Sequence, residues 1–236
     1  MLKLIARITL LTLLTCFTTL VSKAQIGYDY SQYDVGFSVG FNQFYGDELT
    51  SKSTKAVNFN FNYNQTAFVN YIAEMQFGKL AGGDANNDPL GRQFATDYQY
   101  YAFRIQVQGG EILDYSENTL ANAMKNLYAG VGVGMIFSKL SSVNRYSVQI
   151  PGYYTPGPNK AQEAFIPARF GYEFKIFNRY QRPDVKIDLG YQYNFILGDD
   201  LDGFHAGKLK DSYSQFTLGV KFSLGGVTSY RKRINY

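Results

Sequence analysis

What most constrains this chain is an apolar row that returns at every second residue in eight separate segments. In the first, Tyr33, Val35, Phe37, Val39 and Phe41 are separated by Asp34, Gly36, Ser38 and Gly40. In the second, Val57, Phe59, Phe61 and Tyr63 alternate with Asn58, Asn60, Asn62 and Asn64. The pattern recurs over residues 69–77, where Ile72 interrupts the polar row, and over 101–107, 129–137, 166–176, 185–195 and 216–224. A period of two sends alternate side chains to opposite faces of a strand, and no helical window competes with it.

Alternation alone does not say which face is inside, because soluble sandwiches and barrels share it. Three features point to an apolar exterior. The other row is Gly, Ser, Asn and Gln with few charges, whereas a water-facing sheet carries more Lys, Glu and Thr. The segments approach the ~9 to 11 residues of a tilted membrane strand and exceed the ~5 to 6 usual in soluble sheets. The last segment, Thr217-x-Gly219-x-x-Phe222-x-Leu224, has the form of a C-terminal signal for barrel-assembly machinery. Lipid leaves an open sheet edge with nothing to bond, so the sheet is expected to close. The expected fold is all-β: an eight-stranded, antiparallel, up-and-down transmembrane β-barrel whose lumen is filled by side chains.

The N-terminus reads as a secretory signal peptide. Lys3 and Arg7 precede an apolar run over residues 8–21, and Ser22-Lys23-Ala24 precedes Gln25, so cleavage is expected after Ala24. Cys16 follows Leu13-Leu14-Thr15, a poor context for lipidation. Residues 1–24 are then the signal, 25–224 the barrel and 225–236 a basic periplasmic tail. Removing the signal removes the lone cysteine, and with it disulfide and thiol chemistry. Loss of Lys3, Arg7 and Lys23 also brings the 23 basic residues to within one of the 19 acidic ones. A near-neutral chain has no electrostatic footprint for nucleic acid.

The inward row carries Glu74, Arg104, Arg169, Glu173, Lys175, Lys186, Asp188 and Lys221, which are expected to satisfy one another as an ion network inside the barrel. Long connections over 46–55, 82–96, 139–163 and 198–212 alternate with short turns at 65–66 and 178–183, which puts both termini in the periplasm and the long loops outside. Residues 109–126 break the rule with Leu113, Leu120, Ala121 and Met124 at the spacing of a short amphipathic helix, lying against the barrel rim or docking a periplasmic partner. Past Leu224, Gly225-Gly226 reads as a flexible joint leading to Arg231, Lys232 and Arg233, a contact for head groups or for an acidic periplasmic protein.

Catalytic chemistry finds little support. The single histidine, His205, lies in a loop near Asp202, Ser212 and Ser214, and only geometry would make these a hydrolase. Asp199, Asp200 and Asp202 lack the spacing and distal Glu of a calcium loop and read as turn formers, with a weak Ca²⁺ or lipopolysaccharide-bridging contact as the alternative. No phosphate loop, zinc pattern or dinucleotide fingerprint is present, so neither a metal nor a cofactor is expected.

Five stretches in order carry a family resemblance: Phe44-Tyr45-Gly46-Asp47, Gly78-Lys79-Leu80-Ala81-Gly82-Gly83-Asp84, Tyr128-Ala129-Gly130-Val131-Gly132-Val133-Gly134, Ile166-Pro167, and Gly198-Asp199-Asp200-Leu201-Asp202. From about residue 33 to 224 the chain resembles the PorG-like proteins, small outer-membrane barrels of Bacteroidota associated with type IX secretion, within the OmpA-like eight-stranded group. It departs from them in lacking an aromatic and an Asp-Asp-Val-Ser run after strand seven, and in having Leu127 where the family has Pro. The resemblance implies a non-enzymatic outer-membrane protein that holds a periplasmic secretion ring, with lipid and lipopolysaccharide around it. Two other expectations stand beside it: a stand-alone surface barrel acting through its outer loops, and a lipid-modifying enzyme.

Overall fold

The computed structural model describes residues 27–46, 50–88, 90–113, 118–147, 149–204 and 210–231. The signal-peptide segment, with Cys16 and the Ala24 cleavage point, lies outside the described residues, as do His205, Lys232 and Arg233. Eight strands follow one another: β1 (Gly27–Tyr45), β2 (Ser51–Asn64), β3 (Val69–Gly83), β4 (Gln93–Gln108), β5 (Leu127–Asn144), β6 (Lys160–Phe177), β7 (Pro183–Ile196) and β8 (Ser212–Arg231). Each pairs antiparallel with its neighbour, and β8 returns to β1 to close the barrel. Two short helices, α1 (Gly109–Ile112) and α2 (Thr119–Met124), fill the connection between β4 and β5.

All eight alternating segments are strands, and they run longer than the alternation does. Ser51 and Lys52 zip onto Gly82 and Ala81, so the first long connection begins only at residue 46 and ends at 50 rather than 55. At the other end, Gly225 and Gly226 are not a joint. β8 continues through them to Arg231, opposite residues 27–31 of β1, with a register shift between Ser31 and Tyr33. Gly225 takes φ +84°, which admits the extra residue as a bulge, and β1 supplies the backbone partners that keep the strand going.

The apolar rows face outward. Val133, Phe170 and Phe222 are 65%, 60% and 53% exposed, while Asp34, Asn62 and Gln106 on the alternate row are buried. Register lines the outer rows up into a continuous belt: Val35 sits opposite Phe61 and Phe222, and Phe37 opposite Phe59 and Val220. Neighbouring rings touch along it, as in Phe37–Phe59 at 5.3 Å and Phe170–Tyr191 at 5.4 Å between centroids. No helix among the described residues is long and apolar enough to cross a membrane.

One seam is incomplete. Between β5 and β6 the pairs run from Leu127↔Tyr172 to Val131↔Ala168 and resume at Gly134↔Phe165. The two missing rungs, 132 with 167 and 133 with 166, are those that need an N–H at position 167, where Pro167 has none. The other edge of β6 stays paired through Pro167↔Asn194.

Candidate functional site

The lumen is sorted along the barrel axis. The same inward row that carries charges toward the short-turn end carries aromatic and aliphatic side chains toward the long-loop end. There Phe44, Leu80, Phe94, Tyr98, Tyr100, Ile136, Phe165, Ile196 and Tyr213 pack with Leu201 and Phe204 from the β7–β8 connection into one buried cluster. Ile72, which seemed an interruption of the polar row, is inward and 1% exposed. This apolar plug was not read from the sequence. The signal was present: Phe94, Tyr98 and Tyr100 share the parity of Arg104 and Gln106, upstream of the segment where alternation was counted.

Below the plug lie amides. Gln76 is the hub, with its Oε1 accepting from Tyr100 Oη at 3.0 Å and from Gln215 Nε2 at 3.0 Å. Asn42 Nδ2 donates to Tyr98 Oη at 2.9 Å.

The charges follow. Arg104 meets Glu74 at 3.2 Å. Arg169 meets Asp188 at 2.6 Å and also donates to Thr217 Oγ1 and Tyr128 Oη, at 2.7 and 3.0 Å. Lys221 bridges Glu173 at 2.8 Å and Asp188 at 2.9 Å. Lys186 pairs with Asp34 at 2.6 Å, a carboxylate on the polar row of β1 that sequence reading left out of the network. Lys175 donates to neutral oxygens, Gln108 Oε1 at 2.7 Å and the Ala67 carbonyl at 3.1 Å. Buried charges are tolerable only when such partners replace water.

These side chains close the lumen. One void beside Arg104, Arg169, Asp188 and Lys221 and another beside Tyr30, Lys175 and Lys186 are each about 10 Å³, room for a single water at most. A concavity of about 890 Å³ is on the outside: a shallow apolar groove lined by Ala73, Phe59, Phe61, Met75, Tyr101 and Phe103.

The β7–β8 connection is fastened to the plug. Leu201 N–H donates to Asp211 Oδ2 at 2.8 Å, Phe204 N–H to Asp202 Oδ1 at 2.8 Å, and Thr96 Oγ1 to the Leu201 carbonyl at 3.1 Å. Burial, and then the neighbouring carboxylates of Asp202 and Asp199, push the Asp211 carboxyl up to about 8. Asp202 acts as a turn residue, and Asp200 accepts the Gly203 N–H through its carbonyl at 3.2 Å. Among the described residues, no three His, Cys, Asp or Glu side chains are placed to hold a metal. Ser212 Oγ lies 2.8 Å from Tyr193 Oη and Ser214 Oγ 3.2 Å from Tyr45 Oη, so both candidate nucleophiles have phenol neighbours.

Of the proposed assembly signal, Thr217 and Gly219 face inward, Gly219 against Ser38, while Phe222 and Leu224 face outward. Arg231 ends β8.

No protein-family model matches the chain, and no curated protein does. Among solved structures it is similar to Neisserial surface protein A, at 13% identity and a TM-score of 0.47, over 84% of this chain and 99% of that one. It is also similar to Ail, the attachment invasion locus protein of Yersinia pestis, at 11% identity and 0.46 over 83% and 99%. OprG from Pseudomonas aeruginosa follows at 10% identity and 0.40, over 83% and 98%.

Proposed function

We propose that this chain is a non-enzymatic outer-membrane barrel that serves as a membrane-held anchor for other envelope components. The observation that carries the reading is the pairing of an unbroken apolar belt outside with a hydrogen-bonded, ion-paired filling inside. Such a wall is stable in hydrocarbon, where each backbone polar group needs a partner within the sheet. A lumen filled in this way leaves the two rims as the places where the protein acts.

The rim with the termini is the finer part of the proposal. With the orientation usual for such barrels it faces the periplasm, and the type IX secretion resemblance makes a periplasmic ring protein its partner. Deleting residues 232–236 and neutralising Arg231 should leave a heat-modifiable barrel on gels while reducing co-purification of periplasmic ring proteins. Unchanged co-purification removes the tail from this role.

The second reading, a stand-alone surface barrel, has its own support. The β5–β6 connection folds back on itself through a Tyr146↔Tyr154 bridge, and Arg145 donates to the carbonyls of Pro158 and Gly203 at 3.0 and 3.2 Å. That makes a platform joining two of the long connections. Trimming residues 147–157 should abolish ligand or surface binding under this reading and leave ring assembly intact under the first.

A further inference from the structure

The connection between β4 and β5 sets α1 and α2 at the short-turn rim, and their faces are divided. α1 lies under the lumen: Gly110 sits against the Phe68 ring so closely that a Cβ would collide with it, and Glu111 accepts from Thr66 Oγ1 at 2.9 Å and Tyr230 Oη at 3.1 Å. α2 turns Ala121 toward the same cluster of Tyr30, Ala67 and Phe68, and Lys125, just past its end, is buried. Helical spacing then puts Leu120 and Met124, one turn apart, together on a neighbouring stripe, and they are 68% and 40% exposed.

Two observations say which way that stripe points. Tyr172, on the outward row of β6 opposite Leu127, donates its phenol to the Ala123 carbonyl at 2.9 Å, which hooks α2 to the outer side of the wall. The outward row itself runs on past that hook on β6, with Ile176 at 51% exposure, while Leu127 beside the hook is 41% exposed. β6 reaches Phe177 where β5 has already ended, so α2 stands beside a stretch of apolar strand with no further strand to cover it. The Leu120–Met124 stripe is therefore a continuation of the belt around the corner of the rim.

We propose that α2 is an interfacial anchor, with Leu120 and Met124 seated in lipid at the boundary between head groups and acyl chains. The proposal rests on the membrane reading of the belt. Short amphipathic helices lie in such a boundary when an apolar stripe continues a buried surface and their polar groups stay at the head-group level. Here the barrel supplies the orientation that a helix of six residues could not hold alone.

The chain contains no tryptophan, so a single introduced indole reports without background. The full mature chain, reconstituted in phosphatidylcholine vesicles with bromines either near the head groups or deep in the acyl chains, would carry Leu120→Trp, Met124→Trp, Phe103→Trp in the belt or Tyr153→Trp in the β5–β6 connection. The expected result is that Leu120→Trp and Met124→Trp lose at least half their emission to the shallow bromines and less to the deep ones. Phe103→Trp should show the reverse order and Tyr153→Trp little change with either. If the two helix positions behave like Tyr153→Trp while Phe103→Trp is quenched, the stripe faces water or a protein and the anchor is refuted while the barrel stands. If Phe103→Trp is itself unquenched, the belt is not in lipid and both readings fall.

Discussion

Lys221 holds two carboxylates at once, Glu173 and Asp188, and Asp188 in turn holds Arg169. Four groups from β6, β7 and β8 thus share one set of charges with almost no solvent, two cations against two anions, and removing one leaves the rest unbalanced. Asp188→Asn would leave Arg169 with only Tyr128 and Thr217, and Lys221 with only Glu173. We expect a loss of about 3–5 kcal/mol, the usual cost of an uncompensated buried charge, read as a lower urea midpoint for the folded band on unheated gels. Asp188→Leu paired with Arg169→Leu should cost less than Asp188→Asn alone, because it removes a cation and an anion together and leaves Lys221 paired with Glu173.

At the scale of elements, Pro167 sets the weakest rung of the wall. Gly132 opposite it sits where an added Cβ would meet the Phe103 carbonyl oxygen at 2.2 Å, so β5 can lie this close to β4 only with glycine there. Pro167→Ala should restore both missing rungs, seen as a slowly exchanging amide at position 167 and slower exchange at Gly134. Overall stability should change by less than about 1 kcal/mol, because the added hydrogen bond is offset by the greater freedom of the unfolded chain. The β7–β8 connection is expected to respond to pH. Asp211 has an ordinary value of 3.8 and is pushed up to about 8 in the docked loop, so docking takes up a proton. Docking is then fully stabilised below the ordinary value, weakens as pH rises through the window between the two, and is level above it. Protection of the Leu201 amide, corrected for intrinsic exchange, should fall from about pH 5 to about pH 8 and become flat in Asp211→Asn.

For the whole molecule, the filled lumen predicts an electrical silence. Reconstituted in planar bilayers, the purified barrel should show no steady conductance steps, since its internal voids of about 10 Å³ each hold a water at most. A regular open state would mean that the ion-paired column rearranges as a unit. The asymmetry of the filling has a further consequence: the apolar plug and the β7–β8 connection seal the long-loop end, whereas charges and the two helices close the other. Each end is therefore closed by different chemistry, and the apolar belt runs around the barrel between them.

The number of strands and the split of each into two rows were legible in the residues alone, because a period of two is a local property that any stretch of strand displays, and the scarcity of charge in the polar row pointed the apolar row outward. The sequence also marked eight of the charged residues that line the lumen and the helical break after β4. Tertiary structure decided what the sequence had no means to state. Which inward residues meet depends on the stagger fixed by closing β8 onto β1, so Asp34 joined Lys186 across a separation of 152 residues. Closure also carried β8 on past Gly225 and Gly226, which bulge between Tyr33↔Leu224 and Ser31↔Val227, since a glycine pair reads as a joint until a neighbouring strand takes up the chain beyond it. The apolar plug came from the same source: Tyr98, Tyr100 and Phe165 have an inward parity in the sequence, but only the closing of the barrel brings them together.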